Sequence, residues 1–187
     1  MKDLNEQFGQ PSVGALKKIQ PFMNPMVQDF IKEAPFCVLA TADKGGQCDA
    51  SPRGGTPGFF RVLDERRVLV PDIAGNRLFQ SFSNVLSNGY AGLIFFIPGC
   101  DWTVRVNGRA RIVSPETDGF EDAVPATFWE DDNTRILQGL LVEVDEAYAH
   151  CPRAFLFSKL WDTASISKNV ENDANRTWFQ RHRESVG

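Results

Sequence analysis

The chain has 187 residues, of which 42% are hydrophobic and 24% charged, and its net charge at pH 7 is −4. This length and composition favour one globular domain with its own core, and the negative charge argues against a general affinity for nucleic acid or anionic membranes. The sequence has no signal-peptide pattern and no apolar run near the roughly 20 residues of a membrane helix. We therefore expect a cytoplasmic protein that binds neither nucleic acid nor membrane.

The four cysteines and two histidines do not have the spacing of metal ligands. No Cys-x-x-Cys pair occurs. His150 and Cys151 are adjacent, but neighbouring residues on a strand point to opposite faces, so they are a poor pair of ligands. We expect no metal site, and we expect reduced thiols with structural roles.

Residues 1–34 are expected to form an arm and a helix. The arm, up to Pro21, is polar. Asn24 has the character of a helix N-cap, and Pro25 suits the first helical position. The helix is predicted to end near residue 35 and to bury one apolar face, which comprises Met26, Val27, Phe30 and Ile31.

Residues 35–145 are expected to form a mainly β core. About six short strands with few helices indicate a closed antiparallel barrel, because closure removes exposed strand edges. The predicted strands are 36–41, 47–51, 59–63, 67–70, 91–97, 102–113 and 139–144.

A helix is predicted within this core, and a further segment follows it. The helix spans residues 75–87, and its buried stripe would be Leu78, Phe82, Val85 and Leu86. A helical or mixed segment, residues 146–187, completes the chain.

The stretch 102–113, WTVRVNGRARIV, alternates between apolar and polar residues. Asn107–Gly108 could be a tight hairpin turn, but the alternation stays in phase across it, so we favour one long strand. The polar face of this strand consists of Thr103, Arg105, Asn107, Arg109 and Arg111. Either this face is exposed to solvent, or it has acidic side chains, a second subunit or a ligand as partners.

The stretch 49–59, DASPRGGTPGF, contains the first candidate binding residues. Asp49, Ser51 and Arg53 share one strand face, and we expect Pro52 and Gly54 to end the strand. Arg53 offers five donors to an anionic or carbonyl-rich ligand where glycines leave space. The alternative is a surface arginine on a glycine-rich turn.

The stretch 70–77, VPDIAGNR, contains the second candidate site, where a strand leads into a helix. A helix N-terminus offers unpaired N–H groups and a favourable dipole to phosphate. Asn76 and Arg77 would lie in the first turn and complete a phosphate site. The alternative is helix capping by Asp72 or Asn76.

The known catalytic motifs are missing from the sequence. It has no Gly-x-Gly-x-x-Gly fingerprint, no P-loop and no Gly-x-Ser-x-Gly elbow, and two histidines make a Ser-His-Asp triad improbable. We therefore assign no catalytic residue and expect a bound cofactor to supply the chemistry.

Three runs taken together resemble the pyridoxamine 5′-phosphate oxidase-like, FMN-binding split-barrel family, in its branch of probable FMN-dependent enzymes. They are PFCVLAT…GG…DASPRGGTPGF, then RRVLVPDIAGNRLFQSFSNVL, then LIFFIPGCDWTVRVNGRARI. The resemblance covers residues 35–113 and resumes in HCPRAFLFSKLWD, residues 150–162. The order of SPRG, PD-x-x-GN and RVNGRA makes it specific.

The resemblance implies a six-stranded antiparallel split β-barrel that forms a homodimer, with one FMN in each of two clefts between the subunits. In such proteins basic residues near a helix start hold the phosphate, and the matching residues here are Asn76 and Arg77. A C-terminal tryptophan packs near the flavin, and Trp161 matches it. The implied ring and ribityl contacts are Ser51, Arg53, Val70, Pro71, Asp72, Thr103 and Arg105.

Two departures from the family pattern bear on function. Leu78 stands where relatives often have a second basic residue, and SKLWD replaces the Arg-x-His substrate motif of the true oxidase. The resemblance therefore implies an FMN-dependent oxidoreductase that uses an unknown small molecule or reduced nicotinamide, and not a pyridoxamine 5′-phosphate oxidase. The alternatives are a deazaflavin-dependent reductase and a non-catalytic protein that binds flavin, or binds haem through His150 or Cys151.

Overall fold

Antiparallel β-structure dominates the computed structural model, which describes residues 4–75, 77–117, 120 and 136–186. The strands are β1 (Phe36–Ala42), β2 (Cys48–Gly54), β3 (Arg61–Asp64), β4 (Arg67–Ile73), β5 (Tyr90–Phe96), β6 (Thr103–Val113) and β7 (Ile136–His150). The helices are α1 (Leu4–Phe8), α2 (Val13–Lys17), α3 (Pro25–Glu33), α4 (Gln80–Asn88), α5 (Arg153–Ser158), α6 (Thr163–Glu171) and α7 (Ala174–Val186). None of these helices is both long enough and apolar enough to cross a membrane.

The seven strands form one sheet in the order β2-β1-β5-β6-β7-β4-β3. The predicted class, mainly antiparallel β with flanking helices, is confirmed. The predicted closed barrel of six strands is wrong in two details: the described sheet has seven strands, one for each of the seven predicted ranges, and its edge strands, β2 and β3, do not pair with each other. The open side of the sheet leaves room for a cleft beside β2.

Strand β2 continues past residue 51, the predicted end of the strand. Pro52 lies opposite Val38 and Gly54 lies opposite Phe36 in the pairing with β1. A proline has no N–H to donate, and β2 tolerates one because it is an edge strand and needs partners on one side only. The strand therefore extends to Gly54 and keeps Arg53 within its regular geometry.

Strand β6 is one continuous strand, as predicted. It has a register shift between Asn107 and Gly108, where it pairs with β7. Strand β7 is longer than the predicted 139–144. Its acidic second half stays in the sheet because polar residues of β6 face it: Asn107 pairs with Glu146, and Arg109 pairs with Glu143.

Helix α3 begins as predicted. The Asn24 side chain accepts a hydrogen bond from the Val27 N–H at 3.0 Å, and Pro25 occupies the first turn. Val27 and Ile31 are fully buried. Met26 was predicted on the same face but is 51% exposed, so that part of the predicted face is wrong.

Helix α4 begins at Gln80, five residues later than predicted. Arg77 and Phe79 have φ angles of 61° and 50°, and these left-handed conformations cannot be part of a right-handed helix. Of the predicted buried stripe, Phe82 and Val85 are buried, whereas Leu78 and Leu86 are exposed. The helix packs against β1, β2 and β6.

The contacts divide the chain into two units, Met1–Ile97 with Thr103–His150 and Pro98–Trp102 with Cys151–Gly187. The first unit contains the sheet and a core formed by its inward-facing side chains, among them Leu39, Val70, Phe95, Val106 and Val142. The second unit contains α5 to α7, and no residue of α6 or α7 is buried. That residues 1–187 form a single domain stays a prediction.

Candidate functional site

A polar cleft of about 130 Å³ lies beside edge strand β2. Three structural segments meet there: β2, the end of β4, and the residues that lead into α4. Their polar and charged side chains at the cleft are Asp49, Ser51, Arg53, Asp72, Arg77, Gln80 and Ser81. Two stretches that the sequence marked separately, 49–59 and 70–77, therefore contribute to one site.

The central contact of the cleft is an ion pair between Arg53 and Asp72. Arg53 Nη1 lies 3.3 Å from Asp72 Oδ1, and the Asp72 side chain is only 5% exposed. Gln138 Nε2 donates to the other carboxylate oxygen at 3.1 Å. Burial raises the pKa of Asp72, and the Gln138 hydrogen bond and the Arg53 charge partly offset this effect.

Arg53 is held in place but keeps hydrogen-bonding capacity. Its guanidinium lies 5.5 Å from the centre of the Phe82 ring, which is a cation–π distance. Its Nε is buried and has no hydrogen-bond partner among the described residues. A buried donor without an acceptor costs about 1–3 kcal/mol, so an acceptor atom of a ligand here would be stabilised.

The start of α4 forms one wall of the cleft and has no side-chain cap. Phe79 occupies the N-cap position and makes no side-chain hydrogen bond to the helix, so capping of α4 by Asp72 is not what the structure shows. The first N–H groups of a helix have no partner within it, and their dipole favours an anion. Two left-handed non-glycine residues, Arg77 and Phe79, precede this helix, and such strain concentrates at functional sites.

Asp49 also lines the cleft, and it brings a negative charge close to the helix start. Its carboxylate accepts a hydrogen bond from Ser81 Oγ at 2.6 Å. This bond ties β2 to the first turn of α4. Asn76, predicted to bind phosphate, lies outside the described residues.

Four other predicted residues lie away from the lining of the cleft. Val70 and Pro71 are buried in β4, where they pair with β7. Thr103 is 1% exposed, and Arg105 donates from Nη1 to the Tyr148 hydroxyl at 3.2 Å. The structure therefore does not bring these four residues to the cleft, and their contact with a flavin stays a prediction.

The sheet register explains why Arg105 is not beside Arg53. Arg53 lies opposite Cys37, Cys37 opposite Phe95, and Phe95 opposite Val104. Directly paired residues point to the same face, and adjacent residues on a strand point to opposite faces. Arg105 follows Val104, so its side chain lies on the other face of the sheet.

Trp161, the last predicted contact, belongs to the second unit. Its Nε1 donates to the Cys100 carbonyl at 3.0 Å, and its ring stacks on Phe155 with the centroids 6.1 Å apart. These contacts fix the orientation of the indole within that unit. Its contact with FMN stays a prediction.

One site residue, Gln138, was missed by the sequence analysis. The predicted seventh strand began at residue 139, so Gln138 fell outside every predicted element. The available signal was a polar residue immediately before a strongly apolar run, GLLVEV. In the ranges that the structure describes, no group of three metal-ligating side chains occurs.

Comparison with known proteins identifies the family. The sequence profile of pyridoxamine 5′-phosphate oxidase matches residues 23–146. Curated protein sequences show no match to the chain.

Two solved structures share the fold. A single-residue variant of HupZ from Group A Streptococcus is 19% identical, with a TM-score of 0.52 and coverage of 68% of this chain and 99% of that one. A candidate pyridoxamine 5′-phosphate oxidase from Lactobacillus delbrueckii is 17% identical, with a TM-score of 0.52 and coverage of 69% and 95%. These two structures support the fold, and the profile match, which covers more than half of the chain, shows that the chain belongs to the pyridoxamine 5′-phosphate oxidase family.

Proposed function

We propose that the chain binds FMN, with the phosphate group in the cleft between β2, the end of β4 and the start of α4. The observation that carries this proposal is the uncapped start of α4 beside the unpartnered Nε of Arg53. Together they offer backbone and guanidinium donors to one anionic group. Arg77 lines the same cleft and would supply a second positive charge.

The charges of the cleft fit a phosphate even though two carboxylates are present. Asp72 is engaged by Arg53 and Gln138, and Asp49 is engaged by Ser81. Arg77 has no ion pair with an acidic residue in the described part of the chain. Its charge therefore remains for a ligand, which supports the proposed role.

The size of the cleft supports binding of part of the cofactor only. At about 130 Å³ it is smaller than the roughly 300–1,000 Å³ of pockets that enclose drug-sized ligands. It suits a phosphate and the adjacent ribityl carbons, so the ring would lie beyond it. A cleft of this size is consistent with the homodimer that the family resemblance implies, in which a second subunit would cover the ring.

We further propose that the protein is an FMN-dependent oxidoreductase. Among the described residues that line the cleft there is no histidine, cysteine or lysine, and its two carboxylates already have partners, Asp72 in Arg53 and Gln138 and Asp49 in Ser81. A bound flavin supplies hydride transfer. The role of the chain's own residues is to hold and orient the cofactor, with Arg53 fixed by Asp72 and Phe82.

The cofactor proposal is tested by identifying what the protein binds. We expect FMN in the mass spectrum of the ligand released from purified protein, and saturable quenching of FMN fluorescence when FMN is added to ligand-free protein. A colourless protein that leaves FMN fluorescence unchanged would contradict the proposal. Retention of a deazaflavin or haem in place of FMN would also contradict it.

The activity is tested separately on FMN-loaded protein. Under anaerobic conditions, we expect NADH or NADPH to bleach the visible absorbance of the bound flavin, and an added electron acceptor to restore it. Pyridoxamine 5′-phosphate should not bleach it. FMN binding without bleaching by any reduced nicotinamide would leave the cofactor site intact and reject a nicotinamide-dependent oxidoreductase.

A further inference from the structure

A second cluster of positive charge lies on β6, β7 and the segment after α2. Lys18 Nζ is 5.1 Å from the centre of the Tyr148 ring, and the guanidinium carbon of Arg105 is 5.7 Å from it. Arg105 also donates to the Tyr148 hydroxyl. The Tyr148 ring lies 6.3 Å from the ring of His150, so Lys18, Arg105 and His150 all lie next to Tyr148.

The cluster holds its position through backbone contacts. Arg105 lies opposite Tyr148, and Thr103 lies opposite His150, in the β6–β7 pairing. Gln20, two residues after Lys18, exchanges backbone hydrogen bonds with Ala147 at 3.2 and 2.8 Å. The segment that carries Lys18 is therefore fixed to β7 next to Tyr148.

The cluster has an excess of positive charge and an unused polar atom. Across the described residues, neither Lys18 nor Arg105 forms an ion pair with a carboxylate. Glu146, the acidic residue nearest to Tyr148 along β7, accepts a hydrogen bond from Asn107 at 2.6 Å. His150 Nδ1 is buried and has no hydrogen-bond partner among the residues that the structure describes.

We propose that Lys18, Arg105, Tyr148 and His150 form a binding site for an oxyanion, either a carboxylate or a phosphate group of a small molecule. A guanidinium, an ammonium and a hydroxyl offer donors close to one another, and arginine matches the geometry of both groups. Arg105 is half-buried, and among the described residues its side chain has a tyrosine hydroxyl and no carboxylate as its polar partner. An oxyanion would supply the missing negative charge and an acceptor for the imidazole.

The state of His150 reports on this site. Burial lowers the pKa of His150, and the charges of Arg105 and Lys18 lower it further. A bound oxyanion would oppose both charges and raise that pKa. None of the four residues lines the cleft beside β2, so the proposal does not depend on FMN binding.

The test is an NMR titration of the imidazole C–H signals of the full chain against pH. Inorganic phosphate, succinate and sodium chloride are compared at equal ionic strength, and the second histidine, His182, is the internal control. We expect phosphate or succinate to raise the pKa of His150 saturably, beyond the effect of chloride. An equal effect of all three salts would overturn the proposal, because it would reflect screening alone.

Two substitutions and one matched control complete the test. Arg105→Gln should raise the pKa of His150 without any oxyanion, because a repulsive charge is lost, and should abolish the further rise with oxyanion. Lys18 is exposed, so Lys18→Gln should leave folding intact. It should weaken oxyanion binding by about tenfold, the factor for a lost charge-assisted hydrogen bond. Arg111→Gln, on the same strand as Arg105, should change neither quantity, and an equal effect of Arg111→Gln would overturn the proposal.

Saturating FMN separates this site from the proposed cofactor site. The rise in the pKa of His150 with phosphate or succinate should persist when FMN is present. If FMN abolishes it in wild-type protein, Arg105 belongs to the flavin site and the proposal of a second oxyanion site is wrong.

Discussion

Arg53 and Asp72 form an ion pair whose acidic member is almost fully buried. Removal of one member of a buried pair leaves the other charge without compensation, and this cost exceeds the net contribution of the pair. The contact of Arg53 with Phe82 adds packing. The pair therefore stabilises the wall of the cleft as well as orienting a donor toward a ligand.

We predict that Arg53→Met destabilises the ligand-free protein by about 3 kcal/mol at pH 7, because Asp72 loses its positive partner. Urea unfolding followed by circular dichroism measures the loss. Arg111→Met, at an exposed position on strand β6, is the control and should cost clearly less. A cost for Arg53→Met no greater than that of the control would show that the pair is not structural.

The same variant has a predicted pH dependence. The folded-state pKa of Asp72 lies above its ordinary value of 3.8, mainly because of burial. Asp72 therefore binds its proton more tightly in the folded state than in the unfolded state. The free energy of unfolding falls as the pH rises from the unfolded-state pKa through the folded-state pKa. Without Arg53 this pKa rises further, so the cost of Arg53→Met should be smaller at pH 4.5 than at pH 7, by about 1 kcal/mol or more. An equal cost at both pH values would contradict this account.

At the scale of elements, the close approach of β6 to β7 depends on Gly108. A Cβ atom at this position would overlap the Glu143 carbonyl oxygen and lie 3.1 Å from the Asp145 N. The crowding atoms are backbone, which cannot rotate away as a side chain does. Gly108 lies where the register shifts, so any added atom would disturb the central pairing of the sheet.

We predict that Gly108→Ala destabilises the protein by about 3 kcal/mol, the upper part of the range for overpacked sites. Thermal unfolding of the ligand-free protein measures it. The control is Gly14→Ala in α2, where an added Cβ meets no atom within 4 Å, and this change should be neutral or slightly stabilising. A neutral Gly108→Ala would mean that β6 and β7 pair differently.

Short-range patterns in the sequence predicted most of the elements. The alternation of 102–113 predicted β6, and the pair Asn24–Pro25 predicted the start of α3, because both signals depend only on neighbouring residues. The start of α4 was placed too early because nothing in the sequence indicates that Arg77 and Phe79 adopt left-handed conformations. The full lengths of β2 and β7 depend on which strands lie beside them, and that is decided by tertiary pairing.

The candidate site was also predictable in part, because two of its stretches have patterns that depend only on neighbouring residues. The residues Ser51, Arg53, Asp72 and Arg77 were predicted from two stretches, and the structure brings all four to one cleft. The role of Gln138 and the position of Arg105 on the opposite face follow from the sheet register, which the sequence does not specify.

At the scale of the whole molecule, the four cysteines report on three environments. Cys37 is buried, Cys100 is intermediate, and Cys48 and Cys151 are exposed. Burial raises the pKa of Cys37 to about 12, although the Arg53 charge opposes this effect. A thiol reacts as its thiolate, so Cys37 should be inert in the native protein.

We predict that a thiol-reactive dye at pH 8 labels Cys48 and Cys151 first and Cys100 more slowly. Cys37 should react only after unfolding. Peptide mapping of the labelled protein distinguishes the four sites. Cys37→Ala provides the control, since it should leave the native count unchanged and lower the denatured count by one. Native labelling of Cys37 at the rate of Cys48 would show that the sheet opens in solution.

The central claim is that the cleft beside α4 holds the phosphate group of a flavin. Riboflavin lacks that phosphate, so comparing its binding with that of FMN isolates the phosphate contribution. The decisive measurement is a fluorescence titration of both ligands against wild-type protein and Arg77→Ala. We predict that Arg77→Ala weakens FMN binding by about 1.5–3 kcal/mol and leaves riboflavin binding unchanged. Equal losses for both ligands, or equal wild-type affinity for FMN and riboflavin, would contradict the claim.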